Sequence, residues 1–314
     1  MSLQHYFKSL ILFYGTCSLL LLASCQSGPD DALIPEGQCA VTFSVSNYKQ
    51  ISFDDLSSSA MSRATISMTL ANLSLTVFDA ETNECVVPTI LHKSKDYESD
   101  GETAMTFPQF SVNLPYGRYR LLVLGYNGSR ECNIVSPNRI FWADNYVPNT
   151  FLYCEEFTLD NGANFNREVT LKHVVAAFRV TAEDAIPAEL KKMRFISTAG
   201  GTVLDAVTGF TPESTGRTSE IIVPANYVGE QGVDFTVYLF LPQEQATGNY
   251  SVQALGSGDA VLSQKHFYDV PLRVNYLTQW QGNAFEAGDV DVPSVQSGFN
   301  VTWDMEWAGT LSVN

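Results

Sequence analysis

The sequence predicts an all-β protein built from two tandem β-sandwich domains. Three observations predict it. Apolar and polar residues alternate with period two along much of the chain, as on half-buried strands. No stretch holds a 3.6-residue apolar period over three turns, so long helices are not expected. A short pattern also recurs: a strand, Leu-Pro, Gly-x-Tyr, a second strand and Leu-Gly. It stands at Leu114-Pro115, Gly117-Arg118-Tyr119 and Leu124-Gly125, and again at Leu241-Pro242, Gly248-Asn249-Tyr250 and Leu255-Gly256.

The chain opens with a targeting segment. His5 and Lys8 precede an apolar run from Leu10 to Leu22. That run is too short for a bilayer span, which needs about 20 residues, and it reads as a signal peptide over residues 1–24. The run stops at Leu22-Ala23-Ser24-Cys25, which resembles the bacterial lipobox. Small residues at Ala23 and Ser24 suit the peptidase that cuts between Ser24 and Cys25. The Cys25 thiol then takes the lipid, palmitate among its acyl chains. Several chains on one Cys anchor stably, whereas one alone binds marginally. Residues 25–38 read as a lipidated tether. Its acidic start, Gln26-Ser27-Gly28-Pro29-Asp30-Asp31, resembles a surface-export signal, with a plain solvated linker as the alternative.

The first domain is expected over residues 39–165. Val41, Phe43 and Val45 alternate with Thr42, Ser44 and Ser46 in a first strand. Residues 51–65 are Ser-rich loop. Strands follow at Asn72 to Phe78, Phe107 to Leu114, Tyr119 to Gly125 and Phe151 to Leu159, with a turn at Pro115-Tyr116-Gly117. Residues 92–104 read as a charged loop. Asp160 to Asn166 reads as the linker to a second domain over residues 166–314. There, strands are expected at Val169 to Thr181, Lys192 to Ser197, Phe235 to Leu241 and Tyr250 to Leu255, with a short helical turn at Ile186 to Leu190. At the end, Phe299, Val301, Trp303, Met305 and Trp307 alternate with Asn300, Thr302, Asp304 and Glu306. This strand either closes the second domain or is offered to a neighbouring subunit, since strand addition joins main-chain bonds to pockets for alternate side chains.

Composition excludes other classes. With 34 acidic and 18 basic residues, the formal charge is −16, which leaves no basic footprint for nucleic acid. A hydrophobic fraction of 45% is too high for a disordered chain. Removing residues 1–24 takes away Lys8 and no acid, so the mature chain carries −17.

Six cysteines are present. Cys17 leaves with the signal peptide and Cys25 takes lipid; Cys39, Cys85, Cys132 and Cys154 remain. An exported location permits disulfides, and four cysteines allow three pairings; free thiols are the other possibility. No spacing suggests zinc.

Catalytic chemistry finds no motif. The four histidines are His5, His92, His173 and His266, and His173 reads as a strand residue. No nucleophile elbow, Walker loop or HExxH occurs. Asp96 to Glu102 loosely resembles a calcium loop but has Phe107 where the bidentate Glu belongs. Asp289 and Asp291 form another acidic stretch. No metal and no cofactor are expected.

Several strings together resemble the fimbrial anchor and minor-fimbrillin family of Bacteroidota. They are the lipobox, Cys39 to Tyr48, Leu73 to Asp79, Leu114 to Tyr119, Leu171 to Arg179, Asp184 to Pro187, Leu204 to Phe210 and Val270 to Thr278. The resemblance implies two transthyretin-like, Greek-key sandwiches and a place in a type V pilus. It implies fimbrial stalk subunits and, through lipid, the outer membrane as partners. Stalk subunits of that family are cut after an Arg, which removes the first strand and opens a groove for a neighbour's strand; anchor subunits keep it.

The leading expectation is therefore a surface-exposed, lipid-anchored outer-membrane protein that anchors or terminates a fimbrium and supports adhesion, with any host ligand unidentified. Arg63, before Ala64, bears on the alternative: a cut there makes the chain a stalk or tip subunit. A glycan-binding surface lipoprotein is the other alternative. It needs an exposed aromatic platform, for which Trp142, Trp280, Trp303 and Trp307 are the candidates.

Overall fold

The computed structural model describes residues 37–47, 70–93, 109–160, 164–292, 300–303 and 310–311. Among them the chain is all β, apart from turns and three short 3-10 segments.

The first half carries β1 (Gln38–Asn47), β2 (Asn72–Asp79), β3 (Cys85–Lys93), β4 (Gln109–Pro115), β5 (Gly117–Tyr126), β6 (Cys132–Ser136), β7 (Arg139–Trp142), β8 (Thr150–Leu159), β9 (Phe165–Thr170) and β10 (Lys172–His173). Two sheets result, in the orders β4-β1-β9 and β10-β8-β5-β2-β3. Their facing sides share one core, which includes Val41, Phe43, Leu75, Val77, Phe110, Leu121, Phe157 and Val169. Alternation places these residues. On β4 only Phe110 and Leu114 are buried, at a spacing that keeps both on one face.

The second half carries β11 (Ala176–Ala182), β12 (Lys192–Ser197), β13 (Val203–Leu204), β14 (Arg217–Ile222), β15 (Val233–Leu239), β16 (Gln245–Leu255), β17 (Val261–Arg273), β18 (Tyr276–Gly282), β19 (Gly288–Val292), β20 (Asn300–Trp303) and β21 (Thr310–Leu311). Its sheets run β15-β11-β18-β20-β21 and β14-β12-β16-β17-β19. They enclose a second core around Phe178, Phe195, Phe235, Tyr250, Phe267 and Trp280.

The recurring sequence pattern marks a repeated topology. In the first half, β1 lies between antiparallel β4 and parallel β9. In the second, β11 lies between antiparallel β15 and parallel β18. The five-strand sheets match likewise, with β3-β2-β5-β8 corresponding to β14-β12-β16-β17. Both Leu-Pro pairs sit where the chain leaves one sheet for the other, from β4 to β5 and from β15 to β16. Proline lacks the N–H that would continue a ladder, so it suits these crossings. At the first crossing the Tyr119 hydroxyl donates to the Pro115 carbonyl at 3.0 Å.

A third apolar cluster joins the halves. Trp142 stacks on Phe240 at 6.0 Å and meets Tyr126 edge-on at 5.4 Å, with Ile140, Leu204 and Val175 around them. The small sheet β13-β7-β6 adds a main-chain link across the same junction. This second layer explains why β5 is buried on both faces from Leu121 onward.

The strand expected at Val169 to Thr181 is three strands. Its apolar run serves three sheets in turn: β9 beside β1, β10 beside β8 and β11 beside β15. Leu171, Val174 and Val175 are buried at the breaks, so composition stays apolar while the ladder changes partner. β9 and β10 thus still belong to the first-half sheets, although they follow Asp160. The helical turn expected at Ile186 to Leu190 is a tight turn, with the Leu190 N–H donating to the Pro187 carbonyl at 3.1 Å.

Candidate functional site

The strand that decides the expected function is β1. It occupies the middle of its sheet. Val41 pairs with Val112 and Phe43 with Phe110 on the β4 side; Val41 lies beside Phe165 and Val45 beside Val169 on the β9 side. Cys39, Val41, Phe43 and Val45 are each 2% exposed or less, while Thr42 and Ser44 face outward, half-buried. Burying each large apolar side chain contributes about 1.5–3 kcal/mol. Both rows of β1 backbone groups are engaged, so removing it would leave the inner edges of β4 and β9 unpaired and open the core. β1 therefore fills the first half's own groove. Arg63 and Ala64 lie outside the described residues, in the chain between β1 and β2. A cut there would leave β1 held to β2–β21 by non-covalent contacts alone.

Ser24 and Cys25 also lie outside the described residues, as do Phe299, Met305, Trp307 and the loop from Asp96 to Glu102. Val301 and Trp303 are on β20, which pairs antiparallel with β18 in the chain's own sheet: Thr278 with Val301, Tyr276 with Trp303. β21 continues the sheet beyond it. β1 and β20 belong to the sheets of different halves.

Two tryptophans correct an expectation. Trp142 is 2% exposed and Trp280 is 8% exposed. Trp142 is enclosed at the junction of the halves, and Trp280 packs edge-on against Phe267 at 5.2 Å. Neither ring offers a platform to a glycan. Each fills core volume that smaller side chains would leave empty.

Cys132 and Cys154 are free and half-buried, Cys85 is free and exposed, and Cys39 is buried on β1. Burial pushes the Cys132 thiol up and the Cys154 thiol up to about 11, so both stay protonated at neutral pH and are poor nucleophiles. Asp289 and Asp291 are engaged on β19. Asp289 pairs with His266 at 2.8 Å, and Asp291 accepts from the Tyr268 hydroxyl at 2.9 Å.

Beside β9 lies a cleft of about 810 Å³, lined among others by Tyr153, Arg167, Glu168, His173 and Phe210. Arg167 contacts the Tyr153 hydroxyl at 3.3 Å and lies over the Phe165 ring at 5.4 Å. His173 stacks on Phe151 at 4.6 Å, with Nδ1 2.8 Å from Asn275 Oδ1 and Nε2 against Asn149 Oδ1. Burial lowers its pKa to about 4, so the ring is neutral at pH 7. It ties β10 to the loop before β8 and to the β17–β18 turn, a bridging role rather than a proton-transfer one. No spacing in the sequence announces this contact, because Asn149, His173 and Asn275 come from three separate segments.

The model of a family of unknown function, DUF6562, matches residues 143–312. The chain belongs to this family. The DUF6562 match begins just after β7 and ends just past β21, so it takes in β8 to β10 with the whole second half. No curated protein matches the chain. Solved structures do. The fimbrial anchor protein Mfa2 from Porphyromonas gingivalis is 12% identical, with 78% of this chain and 90% of that chain covered and a TM-score of 0.37. The tip fimbrial protein Mfa3 from the same organism is 11% identical, with 78% and 94% covered and a TM-score of 0.38. A candidate adhesin from Bacteroides ovatus is 10% identical, with 74% and 82% covered and a TM-score of 0.44.

Proposed function

We propose that this DUF6562 chain is an outer-membrane lipoprotein that anchors or terminates a fimbrium at the cell surface. The observation that carries the reading is β1 seated in its own groove, with four inward side chains sunk in the core. A subunit in that state has no vacancy at β1 for a neighbour's strand, so it ends a fibre rather than extending it. Lipid on Cys25 would hold that end to the outer membrane, and fimbrial stalk subunits would be its partners. The two halves are read as tandem transthyretin-like sandwiches that meet in the stretch between β9 and β11. The segment from Phe299 to Trp307 is the candidate strand for contact with the next subunit. In the structure its described part, Asn300–Trp303, completes the chain's own sheet beside β18.

The test is a strain lacking this chain, with fimbriae counted on cells and in the medium. The anchor reading expects fimbriae shed into the medium. Fimbriae that stay on cells in wild-type number would overturn it. Processing after Arg63 is the alternative, and it makes the chain a stalk or tip subunit. The aromatic-platform reading loses two of its four candidates to the core, Trp142 and Trp280.

A further inference from the structure

A second cleft, of about 690 Å³, lies where the β7–β8 connection meets β14 and β15. Its size falls within the range of small-molecule sites, about 300–1,000 Å³. Its charges are matched one by one, with a single exception. Asp144 pairs with Arg130 at 2.9 Å. Glu220 pairs with Arg194 at 2.6 Å and Lys192 at 3.1 Å. Asp234 pairs with the buried Arg179 at 3.0 Å. Arg217 alone among the cleft's described charges has no carboxylate partner.

Arg217 is also half-buried. Its Nη1 donates to the Tyr238 carbonyl at 2.6 Å, which orients the guanidinium, while its Nε is buried without an acceptor. Burial lowers its pKa to about 10, which still leaves it a cation at neutral pH. A half-buried cation without a counter-charge costs free energy, and an anion in the cleft would offset that cost. A planar guanidinium is the side chain best matched to a carboxylate. Around it the cleft is also lined by Tyr146, Tyr238, Asn145, Thr218 and Ser219. Arg130 lies over the Tyr146 ring at 5.1 Å. Hydroxyl and amide groups beside aromatic rings suit the alternating polar and C–H faces of a sugar.

We propose that this cleft binds a carboxylate-bearing sugar, with Arg217 pairing the carboxylate. The proposal goes beyond fibre anchoring and does not depend on it. Titration calorimetry of the full chain in detergent, with sodium glucuronate, glucose and sodium acetate as probes, tests it. Glucuronate should bind at least about tenfold more tightly than either glucose or acetate, a difference of about 1.4 kcal/mol. Arg217→Gln should weaken glucuronate binding at least about tenfold, and Arg217→Lys, which keeps charge without the fork, by less. Equal binding of glucose removes the role of the carboxylate, and equal binding of acetate removes that of the sugar. Either result overturns the proposal, as does a folded Arg217→Gln chain with wild-type affinity. The three-probe comparison on the unaltered chain stays decisive if Arg217→Gln does not fold.

Discussion

The ring of Phe43 on β1 meets the ring of Phe157 on β8 edge-on, with centroids 5.6 Å apart and planes at 77°. This contact crosses the sandwich and joins the first strand to the opposite sheet. Phe157 in turn packs on Tyr119 at 5.6 Å and Phe165 at 5.2 Å. Truncating Phe43 to Ala should therefore destabilise the first half by about 3–5 kcal/mol, the usual cost of a large buried aromatic. Urea unfolding followed by far-UV dichroism measures it. A loss below about 1 kcal/mol would show that β1 is only loosely seated.

His173 gives the fold a pH dependence of known sign. Its folded pKa is lowered to about 4 by burial, against an ordinary value near 6.5. As pH falls, the unfolded chain takes up that proton first, so stability declines as pH drops from about 6.5 toward 4. Between pH 7.5 and 5 the loss should be roughly 2 kcal/mol. His173→Gln should remove this part of the dependence, and unfolding midpoints at the two pH values would show it. An unchanged pH slope in the variant would contradict the assignment.

Gly216 sets the start of β14 and hence the position of Arg217. Its φ is +77°, and a Cβ there would lie 2.4 Å from the Ser197 carbonyl oxygen. Gly216→Ala combines a left-handed conformation with a backbone clash, so it should cost at least about 1–3 kcal/mol. Gly209→Ala is the comparison. It shares a positive φ, +78°, but a Cβ there meets nothing within 4 Å. A smaller loss at Gly209 than at Gly216, read from melting temperatures, isolates the clash from the strain.

The parts of the fold legible in the sequence were those with one dry face and one wet face. The first strand, β4, β12 and β16 show that alternation, and β12 was expected at its observed limits, Lys192 to Ser197. β3 and β19 were not expected, because these edge strands have no buried row and lose the pattern: none of their residues is buried. β17 was missed for the opposite reason. Its inward row includes Ser263 and Lys265, both buried, which interrupt the apolar period before Phe267. Ser263 is accommodated there by donating to the Ala284 carbonyl at 3.0 Å. The repeat was legible because Leu-Pro and Gly-x-Tyr mark a crossing between sheets, where backbone geometry restricts residue choice. The Arg217 cleft was not legible at all. Arg217 and Tyr238 come from opposite sheets of the second half, and the docking of the two halves adds Tyr146.

The state of β1 in the exported protein is the centre of the account. Intact mass spectrometry of the chain extracted from outer membranes reads it directly. The account predicts a lipidated N-terminus at Cys25 on a chain that runs through Asn314. A chain beginning at Ala64 would contradict it, because that product is severed from β1 and from the lipid that ties the fibre to the cell.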